Sequence, residues 1–598
     1  MSASTREIVS AALGKLSLTM KIENSKVLNV YSGELRDADI GIYKDTIVYV
    51  GEDSEHKADK TIDARGLIAI PGLIDTHLHI ESTMLTPANF ASALLPYGTT
   101  TVFADPHEIV NVLGKEGLRM MLENAKGSPM KIYFFTPTCV PESSAVTSGA
   151  EMTPEDVEET LGWEGVSGLG EVMDFDGVLG QSEKMIKILE IGRKRNSVID
   201  GHCPLLMGAR LAAYSAAGPE ADHENFETKS ALEKLRAGMY LKLRGPDVLD
   251  MRAFVSALKK LPSPINILFV TDDVMPDRLA LNGHLNQVCR AAVEEGLDPI
   301  EVVRGATLRP AIHMRKFNLG AIAPGKIGDV LLLKKLESFN PTKVISNGVL
   351  VTDNGRLVIS TQAKPFDRRA YNSVKLPTLK EQDFEIPSPV KTGTVFLTCI
   401  DFPKIGGEMV RKAGSKFLEM VLTNVSVVEA ETKDGELVSK NIAKVFVFER
   451  HGKNGNRSFG FARNLLKEGA VATTVAHDAH NLLVVGNGRS DMVLAANLVT
   501  SSGGGIAAVH HGKIRAKIDL PIAGLMSEDR LDVIAKKMLA LRKAFVQMGM
   551  IEHPYMPIPF LLTLSVIPHA RITDKGIFDV DRQKFLEPIS QVRNKMKA

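Results

Sequence analysis

Two histidines one residue apart, His77 and His79, end the apolar run Pro71-Gly72-Leu73-Ile74-Asp75-Thr76. On a β-strand, residues i and i+2 share a face, so both imidazoles can aim at one point. Two neutral imidazoles meeting at one point suit a divalent metal. Taken alone, such a pair is weak, because backbone or solvent satisfies most paired histidines. Its position strengthens it: about two hundred residues of alternating strand and helix patterns follow.

Those patterns place further chemistry at regular intervals. Eight strands are predicted at Leu67–Asp75, Thr99–Ala104, Lys131–Thr136, Val166–Val172, Ser197–Asp200, a short one before His223, Tyr240–Leu243 and Ile265–Thr271. Helical periodicity separates them, as in Ser182–Arg195, where Met185, Ile186 and Leu189 recur one turn apart. Eight such units predict a closed (β/α)₈ barrel over residues 71–319. A dinucleotide fold is disfavoured, since no G-x-G-x-x-G follows the first strand.

In such a barrel, functional groups sit at the C-terminal ends of the strands. The ends carry His77 and His79, then Asp105-Pro106-His107-Glu108, Glu171, His202, His223-Glu224 and Asp272-Asp273. Each singly reads as a polar strand end. Six meeting at one rim are hard to explain as packing, because ionisable groups are seldom buried without partners. The set His77, His79, Glu171, His202, His223 and Asp272 suffices for two metals, with Glu171 giving one oxygen to each. Nitrogen and oxygen donors without thiolate favour Fe(II), Mn(II) or Zn(II). A hydroxide between two such ions is a nucleophile at neutral pH. Asp272 is placed to ligate with one oxygen and to move protons with the other. Glu81, Ser82, Asp105, His107, Glu108, Glu224 and Asp273 are candidates for substrate contact or ligand support. Glu81 and Ser82 could equally cap the next segment.

Flanking the barrel are β-rich stretches, residues 1–70 and 320–362, expected to pair into one small β-domain. The proline-rich stretch that follows reads as a linker, and a mostly β domain with a few helices is expected over 375–598. There His477, Asp478 and His480 read as a hydrogen-bonded turn rather than a second metal site, and Ser501–Gly505 as a turn rather than a phosphate loop. Trp163 reads as packing, and His510–His511 as surface or packing.

Composition narrows the function class. The 598 residues carry a formal net charge of +1, which offers no pull on nucleic acid or an anionic membrane. Four scattered cysteines exclude a thiolate zinc site and fit a reducing cytoplasm. The apolar stretch Pro557–Pro568 is too short to span a bilayer. A soluble homo-oligomer is expected.

Two stretches, PGLIDTHLHIESTMLTP (71–87) and GTTTVFADPHEIVNV (98–112), closely resemble the bacterial adenine deaminases of the amidohydrolase superfamily. GLGEVMDF (168–175) and VAHDAHNLLVVG (475–486) do so as well. The resemblance implies hydrolysis of adenine to hypoxanthine and ammonia at a binuclear iron or manganese centre. Many two-metal relatives bridge the ions with a carboxylated lysine on the fourth strand, where this chain has Glu171. That difference speaks against the main alternative, a cyclic-amide hydrolase on the same barrel. A binding or scaffold protein that had lost catalysis should have lost ligands, and here each is present. Zinc nucleobase deaminases of the H-x-E and P-C-x-x-C kind are excluded on spacing.

Overall fold

In the computed structural model all residues are described except 1–2, 53–55, 361–363, 403–421, 439–440, 551–552, 554 and 592–598. The central strands, labelled β1 to β8, span Leu73–Leu78, Thr99–Ala104, Lys131–Thr136, Val166–Val172, Val198–Gly201, Ala221–Asp222, Tyr240–Leu243 and Ile267–Phe269. β1 to β5 form one parallel sheet and β6 to β8 another. Two seams join them. Glu220 N donates to Ile199 O at 2.9 Å on one side, and Asp272 N donates to His77 O at 3.0 Å on the other. Hydrophobic side chains fill the space between this ring and the helices around it.

Local chemistry sets the helix starts. Thr86 and Thr153 accept hydrogen bonds from the first turn and are each followed by proline, which needs no partner for its missing N–H. In Glu183–Lys194 the residues Met185, Ile188 and Leu189 are buried against the sheet, while Arg193 and Lys194 sit at the negative helix end.

The first predicted strand requires a correction, because Leu67–Asp75 is not one strand. Ile68–Pro71 pairs with Val330–Leu333 in a nine-stranded sheet built from both flanks of the barrel. The chain then breaks at Gly72 and enters β1. A Cβ at Gly72 would lie 2.1 Å from Thr100 Oγ1, so only glycine lets the chain pass this close to β2. The run of apolar residues is continuous across the break, which hides it from pattern reading.

The expected linker also differs. Leu379, Phe384 and Ile386 are buried in the core of the C-terminal domain, so this segment is packed and not a free tether. That domain carries a ten-stranded sheet and the helices Arg489–Ser501 and Leu531–Gln547. Of the stretch 417–428, read as part of that mostly β domain, residues 417–421 lie outside the described residues, and Asn424–Lys433 is a strand. Trp163 packs under Arg119, with the guanidinium 4.3 Å from its ring centre. Among the described residues no helix is long and apolar enough to cross a membrane.

Candidate metal centre and active-site pocket

The strand ends of the barrel converge on a cavity of about 220 Å³. His79, Glu171, His202, His223 and Asp272 line it, and His77 lies fully buried directly beneath. Glu171 divides its carboxylate between two groups. Oε1 stands 3.4 Å from His79 Nε2, while Oε2 stands 3.3 Å from His223 Nε2 and 2.7 Å from His202 Nδ1. Asp272 Oδ1 faces both imidazoles of the first strand end, at 3.5 Å from His77 Nε2 and 3.1 Å from His79 Nε2. Asp272 sits at φ 59°, in the left-handed region where aspartate is better tolerated than most residues.

These six residues fit a pair of divalent ions. Most of the separations are longer than a good N–H···O bond, and they match neighbouring ligands on a sphere of about 2.0–2.2 Å radius. His77 Nε2 is buried with no hydrogen-bond partner. The surroundings favour positive charge there. Burial alone would depress the His77 imidazole, yet Asp200 and Asp272 lift it to about 9. Burial would raise the Glu171 carboxyl, but His202 and His223 hold it well below the ordinary range.

Behind these six residues lies a supporting shell, of which the sequence reading singled out only Asp105. Asp200 Oδ2 accepts from His77 Nδ1 at 2.9 Å and from Lys242 Nζ at 2.7 Å, and Lys242 also donates to Thr76 O at 3.0 Å. A second fully buried pair, Lys234 with Asp222 at 2.7 Å, fixes the segment around His223, and Asp222 Oδ1 also accepts from Cys203 N, next to His202, at 2.6 Å. Asp105 supports from another side. Its Oδ2 accepts from Glu171 N at 2.8 Å, and a Cβ at Gly170 would lie 2.1 Å from that same oxygen. Glycine at 170 is what lets Asp105 reach the backbone of Glu171.

The other candidates fall in distinct places. His107, Glu108, Glu224 and Asp273 line the cavity. Glu81 turns away and accepts from Ile109 N at 3.2 Å, capping the helix His107–Leu113. Burial and then the neighbouring Glu108 push its carboxyl up to about 8. Ser82 hydrogen-bonds to Asp273 and, at 3.2 Å, to Glu108. Asp272 departs from expectation in one respect: its second oxygen is held by Arg244 Nη2 at 2.7 Å. Burial would raise this carboxyl, but Arg244 and then the two histidines hold it well below its usual range. Arg244 also binds Glu224 and reaches Tyr555 Oη at 2.5 Å. Tyr555 in turn donates to Asp273 Oδ2 at 3.0 Å. Arg244 follows β7, so applying the strand-end rule to every strand would have found it. Tyr555 carried no local signal.

The C-terminal domain closes the pocket. Leu561, Leu564, Val566, Ile567 and Pro568, from the apolar stretch noted in the sequence, form a wall opposite the ligands. His477 and Asp478 line the same cavity, with Asp478 Oδ2 3.7 Å from His107 Nε2. From sequence they were expected only in a hydrogen-bonded turn of the C-terminal domain. His510, by contrast, pairs with Glu468 at 3.0 Å, away from the pocket.

Comparison with known proteins agrees with this architecture. Residues 68–351 match the amidohydrolase family and residues 420–584 the adenine deaminase C-terminal domain. An adenine deaminase of Moorella thermoacetica is 38% identical over 98% of both chains. One from Thermosipho africanus is 37% identical over 98% of this chain and 99% of its own. Among solved structures, a β-aspartyl dipeptidase of Fervidobacterium islandicum AW-1 is 20% identical with a TM-score of 0.46, over 58% of this chain and 100% of that one. With barrel, C-terminal domain and nearly the whole length matched, the chain belongs to the adenine deaminase family of amidohydrolases.

Proposed function

We propose that this chain hydrolyses adenine to hypoxanthine and ammonia in the cavity at the barrel rim. The observation that carries this reading is Glu171, whose two oxygens face two separate histidine groups inside a pocket walled by apolar side chains. His77, His79, Glu171, His202, His223 and Asp272 would hold two divalent ions, with Fe(II) or Mn(II) preferred and Zn(II) the alternative. When bound, such ions lower the pKa of a coordinated water to near 7 and so supply a nucleophile.

The protein's own groups do the rest. Water adds at C6 as ring N1 takes up a proton, the bond from C6 to the exocyclic nitrogen breaks, and the amine leaves as ammonia, so the two water protons end on N1 and on the ammonia. Asp272, kept ionised by Arg244, takes the proton of the attacking water and returns it towards the departing amine. Histidine ligands cannot serve, since a proton on the ligating nitrogen would displace it from the metal. Phe175, Phe226, Leu564 and Ile567 enclose the planar ring and exclude bulk water. Glu224 is occupied by Arg244 and anchors the guanidinium. All four cysteines are buried and free of disulfides, which supports a reducing, cytoplasmic setting. A homo-oligomer completes the reading.

The test is ammonia release from adenine, other aminopurines and cyclic amides by protein stripped of metal and then reloaded with Mn(II) or Fe(II). Adenine should be turned over only after reloading. Turnover by metal-free protein, or of cyclic amides in place of adenine, overturns the reading.

A further inference from the structure

A second group of metal-type side chains lies where the C-terminal domain meets the barrel. Glu108, from the second strand end, points at the turn that carries His477, Asp478 and His480. Its Oε1 is 3.7 Å from His477 Nδ1 and its Oε2 is 3.8 Å from His480 Nε2. His477 Nδ1 lies 3.4 Å from Asp478 Oδ1. Ligand atoms of Glu108, His477 and His480 lie within 4.8 Å of one another, and all three residues are buried. None belongs to the six inner ligands.

These spacings are too long for hydrogen bonds and too short for indifference. Direct N–H···O bonds close to about 2.7–3.2 Å, whereas ligands sharing one first-row ion stand about 3.0–3.8 Å apart across bonds of 2.0–2.2 Å. A turn stabilised by its own hydrogen bonds would have drawn the pairs together. Instead polar atoms are stranded: His480 Nε2, His477 Nε2 and Asp478 Oδ2 are buried with no hydrogen-bond partner. The opposite nitrogen of His480 makes only a long 3.4 Å contact with Ala476 N. Of these, His480 Nε2 faces Glu108 Oε2 directly, and a buried polar atom left unpaired is costly, so the gap between them calls for an occupant. His480 itself sits at φ 54°, an uncommon conformation for a side-chain-bearing residue, and the turn holds its ring towards Glu108.

We propose that Glu108, His477 and His480, with Asp478 alongside, bind a third divalent ion at the seam between barrel and C-terminal domain. The donors are two imidazoles and carboxylate with no thiolate, which selects Zn(II), Mn(II) or Fe(II) over softer ions. Because one ligand comes from the barrel and two from the C-terminal domain, the ion fastens the pocket's wall to its floor. Glu108, His477 and Asp478 also line the edge of the substrate cavity, where Ser82 bonds both Glu108 and Asp273. The ion takes no part in the proposed attack on C6 and stands whichever substrate is turned over.

Metal counting tests this on the full-length protein. The chain is stripped with a chelator, reloaded with Mn(II) or Zn(II) alone, freed of excess ion and measured by elemental analysis and titration calorimetry. Wild-type protein should saturate at three ions per chain. His480→Asn and Glu108→Gln should each saturate at two, and Glu171→Gln should retain the outer one. Circular dichroism identifies folded variants, and two independent outer substitutions guard against one failing to fold. Wild-type saturation at two ions, as expected if only water fills the gap, overturns the proposal. So does retention of three ions in the folded outer variants, which would mark the third as adventitious.

Discussion

The inner cluster at the barrel rim and the outer cluster at the domain seam use the same side chains but are held in different ways. Every inner residue stands at the end of a strand of one barrel, and buried ion pairs lie behind it. Lys242 and Asp200 orient His77, while Lys234 and Asp222 brace the segment at His223 and the backbone just after His202. Among the described residues, the outer cluster has no comparable ammonium–carboxylate pair behind it. Its geometry depends on one domain seating against another, through contacts such as Ser143 Oγ to Ser565 Oγ at 2.6 Å. Strand ends pre-organise ligands by local geometry, whereas a seam organises them by docking. The inner site should therefore fail through its chemistry and the outer one through the interface.

The largest effect should come from Glu171, which faces both inner groups. Glu171→Gln removes the charge that both ions share, so both should leave together and adenine turnover should fall to background. Elemental analysis checks this. Full inner occupancy with normal turnover would show that the bridge lies elsewhere. Asp272→Asn comes next. It keeps a ligand oxygen but cannot accept a proton, so kcat should fall by about 10²–10⁴-fold with both ions retained. A metal-replete variant within a few-fold of wild type would move proton transfer to another carboxyl.

How much of this contrast could be read in advance follows the same division. His77 and His79 were legible because strand periodicity alone puts them on one side. Glu171, His202, His223 and Asp272 were legible because strand ends share a rim. Arg244 belonged to that rule and needed only its application to β7. The outer half was not legible. Tyr555 is 282 residues from Asp273, and nothing local to either announces the contact. His477 and Asp478 were visible as residue types, but which surface they face depends on domain docking. Gly72 shows another limit: a strand that changes sheets in mid-run keeps its apolar pattern.

Lys242→Met tests whether the buttress behind the inner cluster matters. Lys242 touches no metal-facing atom and acts through Asp200 on the tautomer and orientation of His77. Loss of such support typically costs 10–100-fold in metal affinity. Calorimetry should show that weakening for one inner ion, with the outer ion unaffected. Equal weakening of all ions would mean a general loss of structure.

The smallest effect, and the one that reports on the seam itself, concerns Glu142. This buried carboxyl accepts from Ser565 Oγ at 3.0 Å, and its other oxygen has no hydrogen-bond partner. Burial, and then the nearby negative charge of Asp478, push it from the usual 4.5 to about 8. The sign follows from proton counting. Between those two values the folded chain holds a proton that the unfolded chain has released, so stability falls as pH rises through the interval. The stabilising contribution is complete below about 4.5 and is lost once the pH passes the folded value. Glu142→Gln keeps the acceptor oxygen and the shape but cannot ionise. At fixed metal loading, the variant should resemble wild type at pH 5 and be the more stable protein at pH 8.5, by on the order of 1–3 kcal/mol. Thermal melts of both proteins from pH 5 to 9 measure this. Parallel curves would mean that Glu142 ionises freely in the folded chain, and the seam would then be wetter than its burial indicates.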